Sequence, residues 1–239
     1  MNSRYKNIIV FGASGAIGDA LSRYYVDNAT LTTVSRTALS PLNTTHAHFC
    51  INILDEHNFD ANLISLKERG PYDLVIVAIG TLHSSKYSPE KALSQLQSEA
   101  FHSVMEINTL APALVMQRML PLMDKSSPSV FAALSARVGS IQDNQLGGWY
   151  AYRASKAALN MLIKTAAIET KRRSKQSAII GLHPGTVDSA LSAPFQKNVP
   201  EHKLFSPSQS AEHLAQVLAN ITVDDTGKLF AWDGKEIPA

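Results

Sequence analysis

Short apolar runs rich in valine and isoleucine alternate with longer amphipathic stretches along the whole chain, and this alternation restricts the fold more than any other feature. Runs at residues 7–11, 31–35, 48–51, 74–79, 129–134, 177–182 and 228–232 read as strands. The stretches at 17–26, 55–68, 150–170 and 208–221 read as helices, and 89–123 as one long helix or two consecutive ones. Strands apolar on both faces, each followed by a helix, belong to a parallel sheet covered on both sides. The predicted class is therefore α/β, a doubly wound parallel sheet of seven strands with helices on both faces. With 239 residues, 45% of them hydrophobic, one core suffices, and a single domain is expected over 1–239. Ser206 followed by Pro207 suits the start of the last helix, as a cap and a first-turn proline.

Charge and cysteine usage exclude several classes of function. The net charge is +2 with no basic face or tail, so no nucleic-acid partner is expected. The densest basic run, Lys171-Arg172-Arg173 with Lys175, falls where a helix ends and complements its dipole. Cys50 is the single cysteine, which rules out an intrachain disulfide and fits a cytoplasmic location. Glycines follow the apolar residues 8–11 at once, so the N-terminus reads as a first strand rather than a leader. No apolar run approaches the roughly 18 residues of a membrane-spanning helix, and no membrane partner is expected. His46 and His48 share a strand face, but no third ligand stands at a recognisable spacing, so no metal site is expected.

Gly12, Gly15 and Gly18 stand directly after the first strand and open the first helix. In that context a glycine loop lets the backbone approach a pyrophosphate at a helix N-terminus, which makes Gly12, Ser14, Gly15, Ile17 and Gly18 candidate cofactor-binding residues. The second strand ends Val34-Ser35-Arg36. No carboxylate stands there to repel a 2'-phosphate, Arg36 can pair with it, and Ser14 and Ser35 can donate to it, so NADP(H) is favoured over NAD(H). The alternative for Arg36 is a solvated surface side chain. Two irregular stretches, 139–149 and 184–206, follow strand C-termini, where ligands bind in open α/β sheets. Trp149, His83 and Phe195 are candidate pocket walls.

The run Tyr152-Arg153-Ala154-Ser155-Lys156 puts Tyr152 and Lys156 one helical turn apart on the same face. An ammonium there favours ionisation of a phenol whose ordinary pKa is about 10, and a phenol so tuned gives and takes protons. Tyr87 and Lys91 repeat the spacing, but Pro89 between them spoils a helix interior.

The glycine loop, the Tyr152–Lys156 run with Ala157 and Ala158, and Pro184-Gly185-Thr186 together resemble the short-chain dehydrogenase/reductase family over nearly the whole chain. Val138-Gly139-Ser140-Ile141, Gly147-Gly148-Trp149-Tyr150 and Phe230-Ala231-Trp232-Asp233-Gly234 resemble its C-factor-like branch. The resemblance implies a Rossmann-type fold and hydride transfer between a nicotinamide and a small-molecule carbonyl or alcohol, with Tyr152 as general acid/base. It further implies Lys156 on the nicotinamide ribose, Asn108 holding a water for proton relay, Asn52 and Ile53 at the adenine, and Ala78 and Gly80 beside the cofactor. Pro184, Gly185, Thr186 and Val187 would lie toward the nicotinamide. A homodimer or homotetramer would form through the helices bearing Asn108 and Tyr152.

The chain departs from the family pattern in three places. Phe11 replaces a threonine, and Ala78-Ile79-Gly80 keeps only the end of an Asn-Asn-Ala-Gly stretch. The position of the family serine holds Ala136. Ser135, one place earlier, is expected to act instead, although neighbouring strand residues face opposite sides, and Ser140 is a further candidate. These departures motivate a rival expectation: an NADP(H)-binding signalling or redox-sensing protein of the same fold, with weak or lost catalysis.

Overall fold

A computed structural model describes residues 3–238. In chain order the elements are β1 (Asn7–Phe11), α1 (Ala16–Tyr25), β2 (Thr30–Ser35), β3 (Ala47–Cys50), α2 (Glu56–Glu68), β4 (Leu74–Val77), α3 (Ser98–Met105), α4 (Ala111–Met119), β5 (Ser129–Leu134) and α5 (Tyr150–Lys171). They continue with β6 (Ser177–His183), β7 (Thr186–Val187), β8 (Leu204–Phe205), α6 (Pro207–Asn220), β9 (Leu229–Ala231) and β10 (Glu236–Ile237). Eight strands form one sheet in the order β10-β9-β6-β5-β4-β1-β2-β3, parallel except where β10 returns antiparallel to β9. The main sheet has eight strands where the sequence predicted seven, because the two-residue β10 is too short to register as an apolar run. β7 and β8 pair separately.

Neighbouring strand residues point to opposite faces, and each face has its own helices. Leu21 and Tyr25 of α1 and Leu214 and Leu218 of α6 pack with Ile8, Val10, Ile76, Ala132 and Ile180. On the other face Phe59 of α2, Val115 and Met119 of α4, and Leu159 and Ile163 of α5 pack with Ile9, Val75, Phe131 and Ile179. Each such side chain contributes about 1.5–3 kcal/mol when fully buried. β3 departs from the expected double burial: it is the edge strand, half-covered, with Cys50 exposed. Thr33 Oγ1 lies 2.6 Å from His46 Nε2 and 2.9 Å from His48 Nδ1, which ties both histidines to the adjacent strand.

Winding reverses between β1 and β4: β2 and β3 lie on one side, β4, β5, β6 and β9 on the other. At such a switch point the loops after the strands diverge and leave a crevice. β4 stops at Val77, and Ala78 and Ile79, expected in the strand, turn into that crevice.

The stretch 89–123 is more broken than predicted. A helical bulge at Glu106–Leu110 separates α3 from α4, and there the Ala111 N–H bonds to the Glu106 carbonyl five residues back. Pro112 supplies the cause: it has no N–H to offer the Asn108 carbonyl four residues earlier, and its ring crowds that carbonyl. The start of α6 is as read. Ser206 Oγ accepts the Gln209 N–H at 3.2 Å, and Gln209 Oε1 accepts the Ser206 N–H at 2.9 Å.

Candidate active site

The crevice at the switch point is a cleft of about 550 Å³. The glycine loop forms one end. Gly12 has φ 81°, and a side chain there would run into the Ala78 carbonyl, so β1 and β4 hand over to their loops in close contact. Gly18 lies as tightly against the Gly12 carbonyl, which brings the first turn of α1 onto the loop. That turn starts at Gly15 with no side-chain cap, so its N–H groups are left for a ligand. Ser14, Gly15 and Ile17 line the cleft. An uncapped helix N-terminus over a glycine loop, at the mouth of a deep cleft, fits a pyrophosphate-bearing dinucleotide.

The second-strand residues sit differently. Arg36 is exposed and in no ion pair among the described residues. Ser35 is buried and donates its hydroxyl to the Thr37 carbonyl at 2.6 Å, so that proton is not directed at the cleft. Asn52 Oδ1 accepts the Leu54 N–H within its own turn, and Ile53 is buried in the core beside β1 and β2. None of Arg36, Ser35, Asn52 and Ile53 is part of the cleft wall.

Tyr152 and Lys156 face the middle of the cleft from the first turns of α5. Lys156 is 2% exposed, and its Nζ donates to the Leu134 carbonyl at 2.9 Å. The same Nζ lies 5.9 Å from the Tyr152 ring centroid, and the bare Cα of Gly80 lets it reach the cleft floor. Burial pushes the Tyr152 phenol up to about 12 and pulls the Lys156 ammonium down to about 8. The lowering of the phenol expected from Lys156 is therefore not what this arrangement produces. Loss of water outweighs the ammonium, whose hydrogen bond goes to Leu134 instead of the phenol.

Asn108, fully buried in the bulge, works through its side chain as a stitch. Its Oδ1 accepts the Thr81 N–H at 2.7 Å, and its Nδ2 donates to the Thr81 carbonyl at 2.8 Å and to Ser155 Oγ at 3.0 Å. The segment after β4 is thus fixed to α5. Ser135 and Ala136 both reach the cleft wall, but the Ser135 hydroxyl donates to Asn160 Oδ1 at 2.6 Å. The alternation of strand residues turns Ser135 toward α5, and its proton is used there. Ser140 is buried, accepts the Asp143 N–H and does not line the cleft.

Pro184, Gly185, Thr186 and Val187 complete the far wall. Gly185 packs on the rings of Phe205 and Trp232, whose centroids lie 4.7 Å apart, and the His213 ring lies 4.9 Å from each, edge-on to Phe205 and tilted to Trp232. This explains why Trp232, in the turn after β9, accompanies the segment. Several contributors were not singled out from sequence: Asn160, Leu82, Leu191, and His183, a cleft residue that burial pulls down to about 4. Pro112 just after the bulge was the one readable signal among the missed features. Among the described residues no three of His, Cys, Asp and Glu gather to hold a metal, and no helix is long and apolar enough to cross a membrane.

Comparison with known proteins places this geometry. A family model described as short chain dehydrogenase matches residues 6–200. The 1-hydroxy-2-glutathionyl-2-methyl-3-butene dehydrogenase of Rhodococcus sp. (strain AD45) is 28% identical over 185 residues, 77% of this chain and 76% of that one. The C-signal of Myxococcus xanthus is 33% identical over 132 residues, 55% of this chain and 74% of that one. Among solved structures, NADPH-bound carbonyl reductase from chicken fatty liver matches with a TM-score of 0.85 at 21% identity, covering 100% of this chain and 96% of that one. Carbonyl reductase Sniffer of D. melanogaster also gives 0.85, at 19% identity, over 98% of this chain and 100% of that one. At these identities the two structures show a shared fold.

Lys156 carries a burial cost that makes a prediction. Its drop from 10.5 to about 8 corresponds to roughly 3 kcal/mol of lost stability, fully present below pH 8 and fading as the pH rises toward 10.5. Lys156→Met should therefore stabilise the ligand-free protein at pH 7 by up to about 3 kcal/mol in urea unfolding, with the gain shrinking toward pH 10.5. A destabilised Lys156→Met protein at pH 7 would contradict the burial cost.

Proposed function

The chain belongs to the short-chain dehydrogenase family, and from that membership and the cleft's geometry we propose that it is an NADP(H)-dependent oxidoreductase interconverting a carbonyl and an alcohol. The observation that carries the proposal is the pairing of a proton-holding Tyr152 with a buried Lys156 on a cleft that begins at an uncapped helix N-terminus. When bound, the dinucleotide supplies or accepts the hydride. Gly12, Ser14, Gly15, Ile17 and Gly18 would receive its pyrophosphate. Asn52 and Ile53 would border the adenine, Ala78 and Gly80 the floor, and Pro184, Gly185, Thr186 and Val187 the nicotinamide end. Arg36, just after β2 and in no ion pair among the described residues, would meet the 2'-phosphate and favour NADP(H).

Reduction needs a phenol that keeps its proton until an alkoxide oxygen forms beside it. At neutral pH the half-buried Tyr152 does so, and Tyr152 then delivers that proton to the substrate oxygen. Lys156, still protonated below about pH 8, stabilises the phenolate left behind and holds the cofactor ribose. Asn108 fixes the ends of β4 and α5 in place. Asn108, whose backbone carbonyl Pro112 denies an α-helical partner, would position a relay water. Met161 and Ile168, exposed on one face of α5, and Leu110 beside Asn108 support assembly as a homodimer or homotetramer. Exposed, unpaired Cys50 supports a cytoplasmic setting.

A second reading, a dinucleotide-binding signalling or redox-sensing protein with weak or lost turnover, draws on one observation. The Ser135 hydroxyl is held by Asn160 and Ala136 offers none, so the end of β5 presents no free serine hydroxyl to polarise the carbonyl. Steady-state oxidation of NADPH with a panel of carbonyl compounds separates the two. Tyr152→Phe should lower kcat by roughly 10²- to 10⁴-fold with NADPH binding retained. Wild-type rates in Tyr152→Phe would overturn the catalytic assignment, and tight NADPH binding with no turnover of any carbonyl by the wild type would decide for the second reading. In the same assay Arg36→Ala should raise KM for NADPH by about tenfold or more and leave KM for NADH unchanged.

A further inference from the structure

Trp149 is the non-glycine residue with positive φ among those described, at φ 52° and ψ 45°, and it follows Gly147 and Gly148 at φ 63° and 64°. Three left-handed residues in a row lead directly into α5, in a conformation that a bulky side chain disfavours. Two charged side chains hold the turn. Glu90, 5% exposed, accepts the Trp149 N–H on its backbone carbonyl and the Ala151 N–H on Oε2 at 3.2 Å. Arg153 reaches back to the carbonyls of Gly147 at 3.0 Å, Gly148 at 2.9 Å and Val138 at 3.3 Å. The Trp149 and Ala151 donors go to Glu90 and the Gly147 and Gly148 acceptors to Arg153. Neither residue has a part in the proton transfer.

The clamp fixes the place of the indole. The Trp149 ring stands edge-on to Tyr152, with centroids 6.1 Å apart and planes at 77°, and edge-on to Phe195 at 5.2 Å and 62°. All three residues line the cleft, with apolar Leu82 and Leu191 nearby. We propose that Trp149 determines substrate specificity and that Glu90 and Arg153 are its positioning residues, the three together selecting compounds whose carbonyl carbon bears an aromatic ring. The inference rests on the carbonyl–alcohol reading above. A wall of tilted rings offers edges and faces to a substrate ring, whereas a saturated ring of the same size gains dispersion alone.

Acetophenone and cyclohexyl methyl ketone, similar in size, make the comparison. With NADPH, the ratio of their kcat/KM values should favour acetophenone in the wild type. It should fall by about three- to tenfold in Trp149→Gly, whose glycine suits the left-handed backbone, and persist in Trp149→Phe. Glu90→Ala should lower the ratio as Trp149→Gly does, and Glu90→Gln, whose amide oxygen still accepts the Ala151 N–H, should restore it. A merely structural Glu90 would slow both ketones alike. An unchanged ratio in Trp149→Gly overturns the specificity role, and an equal loss for both ketones in Glu90→Ala overturns the positioning role. If Glu90→Ala does not fold, the ratio in Glu90→Gln decides: retained, it supports the positioning role, and lost, it overturns it. Turnover of neither ketone by the wild type counts against the carbonyl–alcohol reading itself. The wall is then tested by calorimetry with 1-phenylethanol and 1-cyclohexylethanol in the presence of NADP⁺, where tighter binding of the phenyl compound supports it and equal affinity overturns it.

Discussion

The buried ammonium of Lys156 is the constraint around which the candidate site is arranged. Among the described residues its hydrogen bond goes to the Leu134 carbonyl, and no carboxylate pairs with it to offset its charge. A charge in such a place is costly, and it is held there because the chain around it cannot move away. Leu134 ends a central strand tied on both sides by β4 and β6. Asn108 binds the segment after β4 to Ser155, the residue preceding Lys156. Both ties depend on backbone geometry set by sequence: the reversal of winding between β1 and β4, and the bulge before Pro112.

The same loss of water acts on the two titrating groups in opposite senses. It raises the phenol and lowers the amine, so near neutral pH Tyr152 keeps its proton firmly and Lys156 keeps its own less firmly. A site so balanced is suited to protonating a developing alkoxide. The glycine loop, the clamp on Trp149 and the aromatic packing behind Gly185 place the rest of the cleft around this pair.

Much of the fold was legible because each central strand is buried on both faces and so appears as a continuous apolar run. The features that escaped lack such a signature. β10 is two residues long, the half-exposure of β3 follows from its place at the sheet edge, and the break in 89–123 comes from a single proline acting on a carbonyl four residues away. In the site, the spacing of Tyr152 and Lys156 and of the glycines carried over directly to the cleft, since one helix and one loop hold each set. Glu90, Asn160 and His183 come to the site from distant segments, and no local spacing marks them. The direction of the Tyr152 shift was likewise beyond reach, because sequence gives the distance between two residues on a helix and not how much water they retain.

The balance between Tyr152 and Lys156 is tested most directly by the pH dependence of single-turnover carbonyl reduction with saturating NADPH between pH 6 and 10. The rate should be level on the acid side and fall as the pH rises through about 8, where Lys156 loses its proton while Tyr152 still holds its own. A rate that climbs through pH 8 toward 10 would contradict it, showing that reduction depends on neither a protonated lysine nor a proton-holding phenol.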